Sequence, residues 1–188
     1  MKAVRCHRFA GTDEDGKPVV QPDPLADVLS IDQVPRPECG DDDVLIEVNY
    51  AGIQYPDALQ AQGLYQSRPP LPYIPGMDVT GTVAAVGNNV SHVAVGDQVV
   101  GQLQIGGLAE FAAVPGMSVW KAPAGVHLSK CANVGRNYFA AYHSLKIIGE
   151  VKKDDVVLID GASGGVGMAA IDLCKAMGVK VIAGVSTE

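Results

Sequence analysis

A glycine-rich stretch between two apolar segments is the part of this sequence best suited to binding a cofactor. It fits the pattern A-x-G-x-x-G, a variant of the dinucleotide-binding turn, in the residues Ala162, Ser163, Gly164, Gly165, Val166 and Gly167. In such a turn the small first residue permits a tight bend, the middle glycine lets a pyrophosphate approach the backbone, and the last glycine lets the next helix pack closely. The free N–H groups of that helix then hold the phosphates. A nucleoside-triphosphatase loop is excluded, because no Lys-Ser or Lys-Thr pair follows the glycines.

The same stretch also fits a second glycine pattern. Gly161, Gly165 and Gly167 match the G-x-x-x-G-x-G turn of short-chain dehydrogenases, and Tyr142 and Lys146 imitate their Tyr-x-x-x-Lys pair. In that family the glycine turn opens the chain and the tyrosine and lysine come after it. Here the order is reversed and a β-rich segment comes first, so we reject this interpretation.

The residue that selects the cofactor is expected about 20 residues beyond the turn, where a carboxylate would bind the ribose 2′-hydroxyl of NAD. Ser186 stands there, and Glu188 follows two residues later. A carboxylate would repel a 2′-phosphate, whereas a serine hydroxyl donates a hydrogen bond to it. The sequence therefore predicts NADPH rather than NADH as the cofactor, with Ser186 among the residues that bind it.

The segments around the turn predict one strand–helix–strand unit. Residues 155–160 form a short, nearly continuous apolar run, which is typical of a strand buried on both faces of a parallel sheet. Residues 168–177 are apolar almost all round and precede Gly178, a helix stop. Residues 179–183 read as a second strand, which completes a βαβ unit.

Upstream of residue 125 the sequence has a different character. Short segments rich in β-branched residues, at 44–50, 80–86 and 97–101, alternate with Pro- and Gly-rich turns and predict a compact barrel or sandwich. Just after this region, Ser129 is placed to cap a helix that continues towards Lys146.

Charge and composition exclude several classes of partner. The 188 residues carry a net charge of −7, and they contain no cluster of Lys and Arg, which argues against nucleic acid and anionic membranes. No apolar stretch approaches the roughly 18–20 residues that span a bilayer. The four cysteines are widely spaced, which favours reduced thiols and a cytoplasmic protein; a mitochondrial leader is the alternative, because no acid precedes Asp13.

Several motifs, taken with their order, are similar to those of the medium-chain dehydrogenase/reductase superfamily, in particular its zinc-free quinone oxidoreductase branch. The resemblance implies a GroES-like module over residues 1–125 and a partial Rossmann NAD(P)-binding domain over residues 126–188. It covers essentially the whole chain and rests on the glycine turn and on segments 51–57, 62–65, 69–81, 95–99, 106–111 and 137–143.

The resemblance also implies site residues. Zinc-dependent members of the superfamily have a Cys where Gln54 stands and a His-Glu pair where Met77 and Asp78 stand, so no metal site is expected. Hydride would then pass directly from NADPH to a quinone or an α,β-unsaturated carbonyl compound. Tyr65 and Tyr55 are the candidate proton donors, each also explicable as a packing residue.

Three further polar residues complete the expected site. Gln54 and Asp57 resemble residues of the cleft, although Asp57 reads equally well as a structural hydrogen-bond acceptor. Asn137 resembles a residue near the nicotinamide. Only Tyr65, Tyr55 and Gln54 are expected to act in catalysis.

The amount of nucleotide-binding sequence leaves two hypotheses open. A doubly wound sheet needs two βαβαβ halves, and only one βαβ unit is predicted, so the chain reads as a reductase cut short on its C-terminal side. The first hypothesis is an NADPH-dependent reductase that forms a homodimer when full-length. The alternative is a catalytically incompetent fragment, or a non-enzymatic binding or interaction module of the same family.

Overall fold

The computed structural model describes residues 1–13 and 15–186, and the chain divides into two compact units. The first unit is Met1–Ala132, and the second begins at Asn133. The division falls seven residues beyond the predicted limit at residue 125, so that the short helix Leu128–Cys131 belongs to the first unit. Within the described part of the chain, no helix is long and apolar enough to cross a bilayer.

The first unit consists mainly of antiparallel β-structure. β1 (Lys2–Cys6) pairs with β2 (Leu29–Gln33). A five-stranded sheet in the order β6-β3-β4-β5-β7 contains β3 (Asp43–Gly52), β4 (Asp78–Val86), β5 (Gln98–Gln102), β6 (Phe111–Pro115) and β7 (Val119–Lys121). Three of these strands, β3 to β5, contain most of the segments predicted from their β-branched residues. Two short helices are α1 (Tyr55–Ala61) and α2 (Leu128–Cys131). Single 3-10 turns lie at Leu25–Asp27 and Gly116–Ser118.

The core of the first unit is built from β-branched side chains on one face of the sheet. Val44, Ile46, Val79, Val99 and Val114 have no solvent exposure. Alternation along a strand places such residues together on the inner face, where branched side chains pack well.

At one point two strands of this sheet approach too closely for any side chain. A Cβ atom at Gly81 in β4 would lie 2.0 Å from the carbonyl oxygen of Glu47 in β3. Glycine is therefore required at this position by the strand pairing itself.

The second unit contains one βαβ unit preceded by a helical segment. β8 (Val156–Ile159) and β9 (Lys180–Ala183) are parallel neighbours, and α4 (Gly165–Met177) connects them, as the sequence predicted. Gly178 ends α4 in the left-handed conformation, at φ 70°. Ala169, Ala170 and Cys174 on α4 are buried in the apolar cluster between the helix and the strand pair.

The prediction that the first of these strands is buried on both faces is wrong. Val156 and Leu158 of β8 are 59% and 69% exposed, and Ile182 of β9 is 57% exposed. α4 covers one face of the pair, and no other element among the described residues of this unit covers the opposite face.

The predicted continuous helix from Ser129 is also wrong. His127, not Ser129, is the N-cap of α2, because its Nδ1 accepts the backbone N–H of Ser129. α2 ends at Cys131, and Asn133, at φ −113° and ψ 11°, leaves the helical conformation. Beyond Asn133 the chain forms a π-helix (Val134–Tyr138), α3 (Phe139–Tyr142) and a second π-helix (His143–Ile148).

Candidate functional site

The glycine turn between β8 and α4 bends sharply at its first residue. Gly161 adopts φ +66°, a conformation that favours glycine, and its carbonyl accepts the N–H of Gly164 at 2.9 Å. Ala162 follows with only 2% exposure. The bend therefore depends on Gly161, while Ala162 is small because it is enclosed.

Two other glycines of the turn differ in what surrounds them. A Cβ at Gly167 would lie 2.4 Å from the carbonyl oxygen of Gly161 and 2.8 Å from the Cα of Ala162. A Cβ at Gly164 would meet nothing closer than the Gly161 oxygen at 3.3 Å. Close packing of helix on strand thus requires Gly167, whereas Gly164 leaves space beside the backbone that a ligand can enter.

The start of α4 presents backbone donors to this space. Its first internal hydrogen bond runs from the N–H of Met168 to the carbonyl of Gly164, at 2.8 Å. The N–H groups of Gly165, Val166 and Gly167 come before it and have no intrahelical acceptor, as in any α-helix. Together with the positive end of the helix dipole they form a site for an anion such as a phosphate. Ser163 and Val166 are exposed there.

Asn137 reaches this turn from the first π-helix. Its side chain is 9% exposed, and a Cβ at Gly165 would lie 2.6 Å from the amide nitrogen Nδ2 of Asn137. The side-chain amide has no hydrogen bond to any residue that the structure describes. A buried polar group at the N-terminus of a helix is thereby left available to a ligand.

Ser186 lies three residues beyond the end of β9, the strand that borders the turn. The N–H of Gly184 donates to the carbonyl of Ile159 at 2.8 Å, and the N–H of Ala162 donates to the carbonyl of Gly184 at 2.9 Å. These two bonds hold the end of β9 beside the beginning of the turn, and Ser186 is exposed just beyond it. Glu188, the alternative acid, lies outside the described residues.

In the first unit, Gln54 is held by two carboxylates. Its Nε2 donates to Oδ2 of Asp78 at 2.9 Å, and its backbone N–H donates to Oδ2 of Asp57 at 2.7 Å. Asp78 has no exposure and Asp57 is 5% exposed. Oδ1 of Asp57 also accepts the N–H of Gly76 at 3.2 Å, which identifies Asp57 as the structural acceptor that the sequence left open.

The two candidate tyrosines lie at opposite ends of α1. Tyr55 is the first residue of that helix and is 77% exposed, whereas Tyr65 is half-buried in the bend that follows it. Neither hydroxyl makes a hydrogen bond to another described residue. Both hydroxyls are therefore free to bind a substrate, and the geometry of the unit does not favour one over the other.

Three of the four histidines have structural partners. His7 contacts Ser30 and Asp32, His92 contacts the carbonyl of Val119, and His127 caps α2. Over residues 1–13 and 15–186 no three His, Cys, Asp or Glu side chains are grouped so that they could hold a metal ion.

The pair of residues from the rejected short-chain pattern does not form a site. Nζ of Lys146 donates to the carbonyl of Val151 at 3.1 Å, and Tyr142 is half-exposed. Lys146 therefore binds the chain just after the second π-helix.

Sequence reasoning did not identify the partner of Gln54. The family resemblance places Asp78 only at a zinc-ligand position, and its contact with Gln54 joins residues 24 positions apart. An acid that follows an apolar Pro-Gly-Met segment was the available signal, because a buried carboxylate needs a hydrogen-bond donor.

Comparison with known proteins agrees with this geometry. Residues 40–124 match the alcohol dehydrogenase GroES-like domain. The chain is 36% identical to human quinone oxidoreductase over 189 residues, which cover 100% of this chain and 54% of the relative. The chain spans about half the length of the curated relatives it matches.

Solved structures show the same fold. Escherichia coli quinone oxidoreductase complexed with NADPH has a TM-score of 0.84 and 26% identity, covering 100% of this chain and 53% of that chain. The quinone oxidoreductase from Thermus thermophilus, described with its NADPH complex, has a TM-score of 0.76 and 30% identity, covering 97% and 52%. The predicted fold class is confirmed: a GroES-like β module is followed by the first βαβ unit of a Rossmann domain.

Proposed function

Because this chain belongs to the medium-chain dehydrogenase/reductase superfamily, we propose that the full-length protein is a zinc-independent reductase of quinones or α,β-unsaturated carbonyl compounds that uses NADPH. The observation that carries the proposal is the glycine turn. It combines unbonded N–H groups at the start of α4 with the space beside Gly164. Solved relatives that are described as NADPH complexes support the choice of a nicotinamide cofactor.

The residues of the turn fit the phosphate part of a dinucleotide. The backbone N–H groups of Gly165, Val166 and Gly167 would bind the pyrophosphate, and Gly164 would let it approach. The hydroxyl of Ser186 would donate to a 2′-phosphate, where a carboxylate would repel it. The buried amide of Asn137 would donate to, or accept from, a further polar group of the cofactor.

Bound NADPH would supply the hydride, and the first unit would supply the proton. When a hydride adds to the carbon conjugated with a carbonyl group, negative charge develops on the carbonyl oxygen. A nearby hydroxyl can polarise the carbonyl group or protonate its oxygen. Tyr65 or Tyr55 would have this role, because their hydroxyls are not engaged elsewhere in the described structure. Gln54, oriented by Asp78, would present its amide to the substrate.

We propose a small-molecule quinone or enone as the partner of the full-length protein and a homodimer as its assembly. A cytoplasmic location, with a mitochondrial one as the alternative, stays a prediction.

The test is to follow NADPH oxidation by the full-length protein with a simple quinone and, separately, with a simple enone. We expect turnover with NADPH that exceeds turnover with NADH. We also expect activity to survive dialysis against a chelator, since no metal is involved. Binding of NADPH without turnover of either acceptor would favour the non-enzymatic alternative, and failure to bind would contradict the assignment of the turn.

The same assay distinguishes the two tyrosines. Phenylalanine at the position of the true proton donor should lower kcat by roughly 10²- to 10⁴-fold, because general acid catalysis contributes about that much. The Tyr65→Phe and Tyr55→Phe variants serve as matched controls for each other. Equal, small losses in both would show that neither hydroxyl transfers the proton.

A further inference from the structure

A tyrosine–aspartate hydrogen bond lies next to the candidate cofactor turn and has no part in the proposed reaction. The hydroxyl of Tyr138 donates to Oδ2 of Asp172 at 2.9 Å. Tyr138 ends the first π-helix, and Asp172 lies on α4. Both residues belong to the second unit.

This bond and the contact of Asn137 connect the same two segments at separate places. Asn137 lies against Gly165 at the start of α4, and Tyr138 binds Asp172 seven residues later, about 10 Å along a helix that rises 1.5 Å per residue. Two attachments at that distance resist both rotation and sliding of the π-helix on α4.

The π-helical conformation explains how adjacent residues reach the same partner. In an α-helix neighbouring side chains diverge by about 100°, and the wider π-turn reduces that angle. Asn137 and Tyr138 can therefore both face α4. Single π-turns are rare and occur frequently at functional sites, which agrees with a role for this one.

The position of Asn137 needs support from elsewhere. Asn137 is 9% exposed as a residue, but its amide atoms are not among the fully buried side-chain atoms that lack a partner, and the amide makes no hydrogen bond with any described residue. No hydrogen bond of its own therefore keeps the amide beside Gly165. A neighbouring contact must hold the segment in place if the amide is to remain at the turn.

We propose that Tyr138 and Asp172 are positioning residues, whose hydrogen bond holds the amide of Asn137 at the N-terminus of α4 to bind a polar group of the cofactor. The inference rests on the proposed use of NADPH. It adds a device for cofactor affinity that lies outside the glycine turn itself.

The protonation of the pair suits this role. Burial, then the hydrogen bond and the negative charge of Asp172, raise the pKa of Tyr138 above its usual value. The hydroxyl therefore remains a donor through neutral and mildly alkaline pH, and the bond to the carboxylate persists over that range.

The test uses three single variants of the full-length protein, combinations of them with each other and with Asn137→Ala, and two readouts. Tyr138→Phe and Asp172→Ala each remove the bond, whereas Asp172→Asn keeps an acceptor oxygen and removes only the charge. NADPH affinity is measured by fluorescence titration. Hydrogen exchange of the amides at residues 165–167 is measured without cofactor.

We expect Tyr138→Phe and Asp172→Ala each to raise the dissociation constant for NADPH by about three- to tenfold, the range of one net hydrogen bond. The double variant should bind NADPH no more weakly than either single variant. The dissociation constant of Asp172→Asn should stay close to that of wild type. In an Asn137→Ala background, Tyr138→Phe should have no further effect on affinity. Amide exchange at residues 165–167 should rise in the two disrupted variants.

Two results would overturn the inference. The first is an unchanged dissociation constant in Tyr138→Phe with a lowered melting temperature, which indicates a merely structural bond. The second is that Tyr138→Phe raises the dissociation constant for NADPH equally in the wild-type and Asn137→Ala backgrounds. If wild type binds no NADPH, the proposed function fails; accelerated exchange at residues 165–167 in Tyr138→Phe would then still support the positioning role, and unchanged exchange would overturn it.

Discussion

The two units of this chain bury their apolar residues to very different extents. In the first unit, strands β3 and β4 have side chains such as Val44, Ile46 and Val79 with no exposure. In the second, Leu158 of β8 is 69% exposed. Yet the second unit contains a closely packed turn, in which a Cβ at Gly167 would lie 2.4 Å from the carbonyl oxygen of Gly161 and 2.8 Å from the Cα of Ala162.

The glycine turn of the second unit is held differently from the candidate residues of the first unit. Its shape comes from short-range contacts: one left-handed glycine, one enclosed alanine and one glycine under the helix. The first unit, in contrast, holds its candidate residues by long-range contacts, such as that of Gln54 with Asp78. Stability and cofactor geometry are therefore expected to respond to different substitutions.

The largest expected effect comes from comparing a buried strand residue of the first unit with an exposed strand residue of the second. Ile46→Ala should lower the free energy of unfolding by about 2–5 kcal/mol, because it leaves a cavity in a filled core. Leu158→Ala should change it by no more than about 0.5 kcal/mol, since an exposed side chain loses little. Urea denaturation of the 188-residue chain, to which these exposures belong, measures both. Similar losses in the two variants would show that the outer face of β8 is covered in solution.

The second comparison lies within the turn. Gly167→Ala should destabilise the protein by about 1–3 kcal/mol, because the new methyl group meets backbone atoms of Gly161 and Ala162 that cannot move away. Gly164→Ala is the matched control, with its nearest neighbour at 3.3 Å, and should leave the melting temperature almost unchanged. Equal melting temperatures for both variants would contradict the packing role assigned to Gly167.

A smaller effect is expected from alkaline pH in the first unit. Burial is the main cause that raises the pKa of the Cys6 thiol, and likewise that of the Tyr73 hydroxyl. Because each of these groups has a higher pKa in the folded protein than in the unfolded chain, its contribution to the stability of the fold is complete at neutral pH. It is lost as pH rises past the ordinary values of these groups, about 8.5 and 10.

Denaturation midpoints between about pH 7 and 10.5 test this dependence. The midpoint of wild type should fall over that interval, and Cys6→Ala should flatten the part of the decline below about pH 10. Tyr73→Phe should flatten the upper part. A wild-type midpoint that stays constant over the whole interval would be inconsistent with protonated, buried groups at these positions.

Much of this organisation is predictable from the sequence, because its signals are local. Short segments rich in branched residues predicted β3, β4 and β5, and the order of strand, glycines and helix predicted the βαβ unit. The family resemblance, which rests on whole motifs, is confirmed by the comparisons.

The features that escaped prediction depend on contacts between segments. Nothing near Gln54 in the chain identifies Asp78 as its partner, and nothing near Asn137 indicates that it lies on Gly165. The N-cap lies at His127 rather than at Ser129, because Nδ1 of His127 accepts the backbone N–H of Ser129 and so starts the helix two residues earlier. The sequence does not predict the exposure of β8. An apolar run shows only that a strand is suited to burial on two faces, and it does not show whether other elements cover both of them.

The central claim is that the glycine turn of the second unit binds NADPH through the space beside Gly164. The most direct measurement is the dissociation constant for NADPH of the full-length Gly164→Val variant, with its melting temperature recorded alongside. We predict a dissociation constant at least about tenfold above that of wild type, a difference of about 1.4 kcal/mol, with a melting temperature close to wild type. A folded variant that binds NADPH as tightly as wild type would contradict the claim.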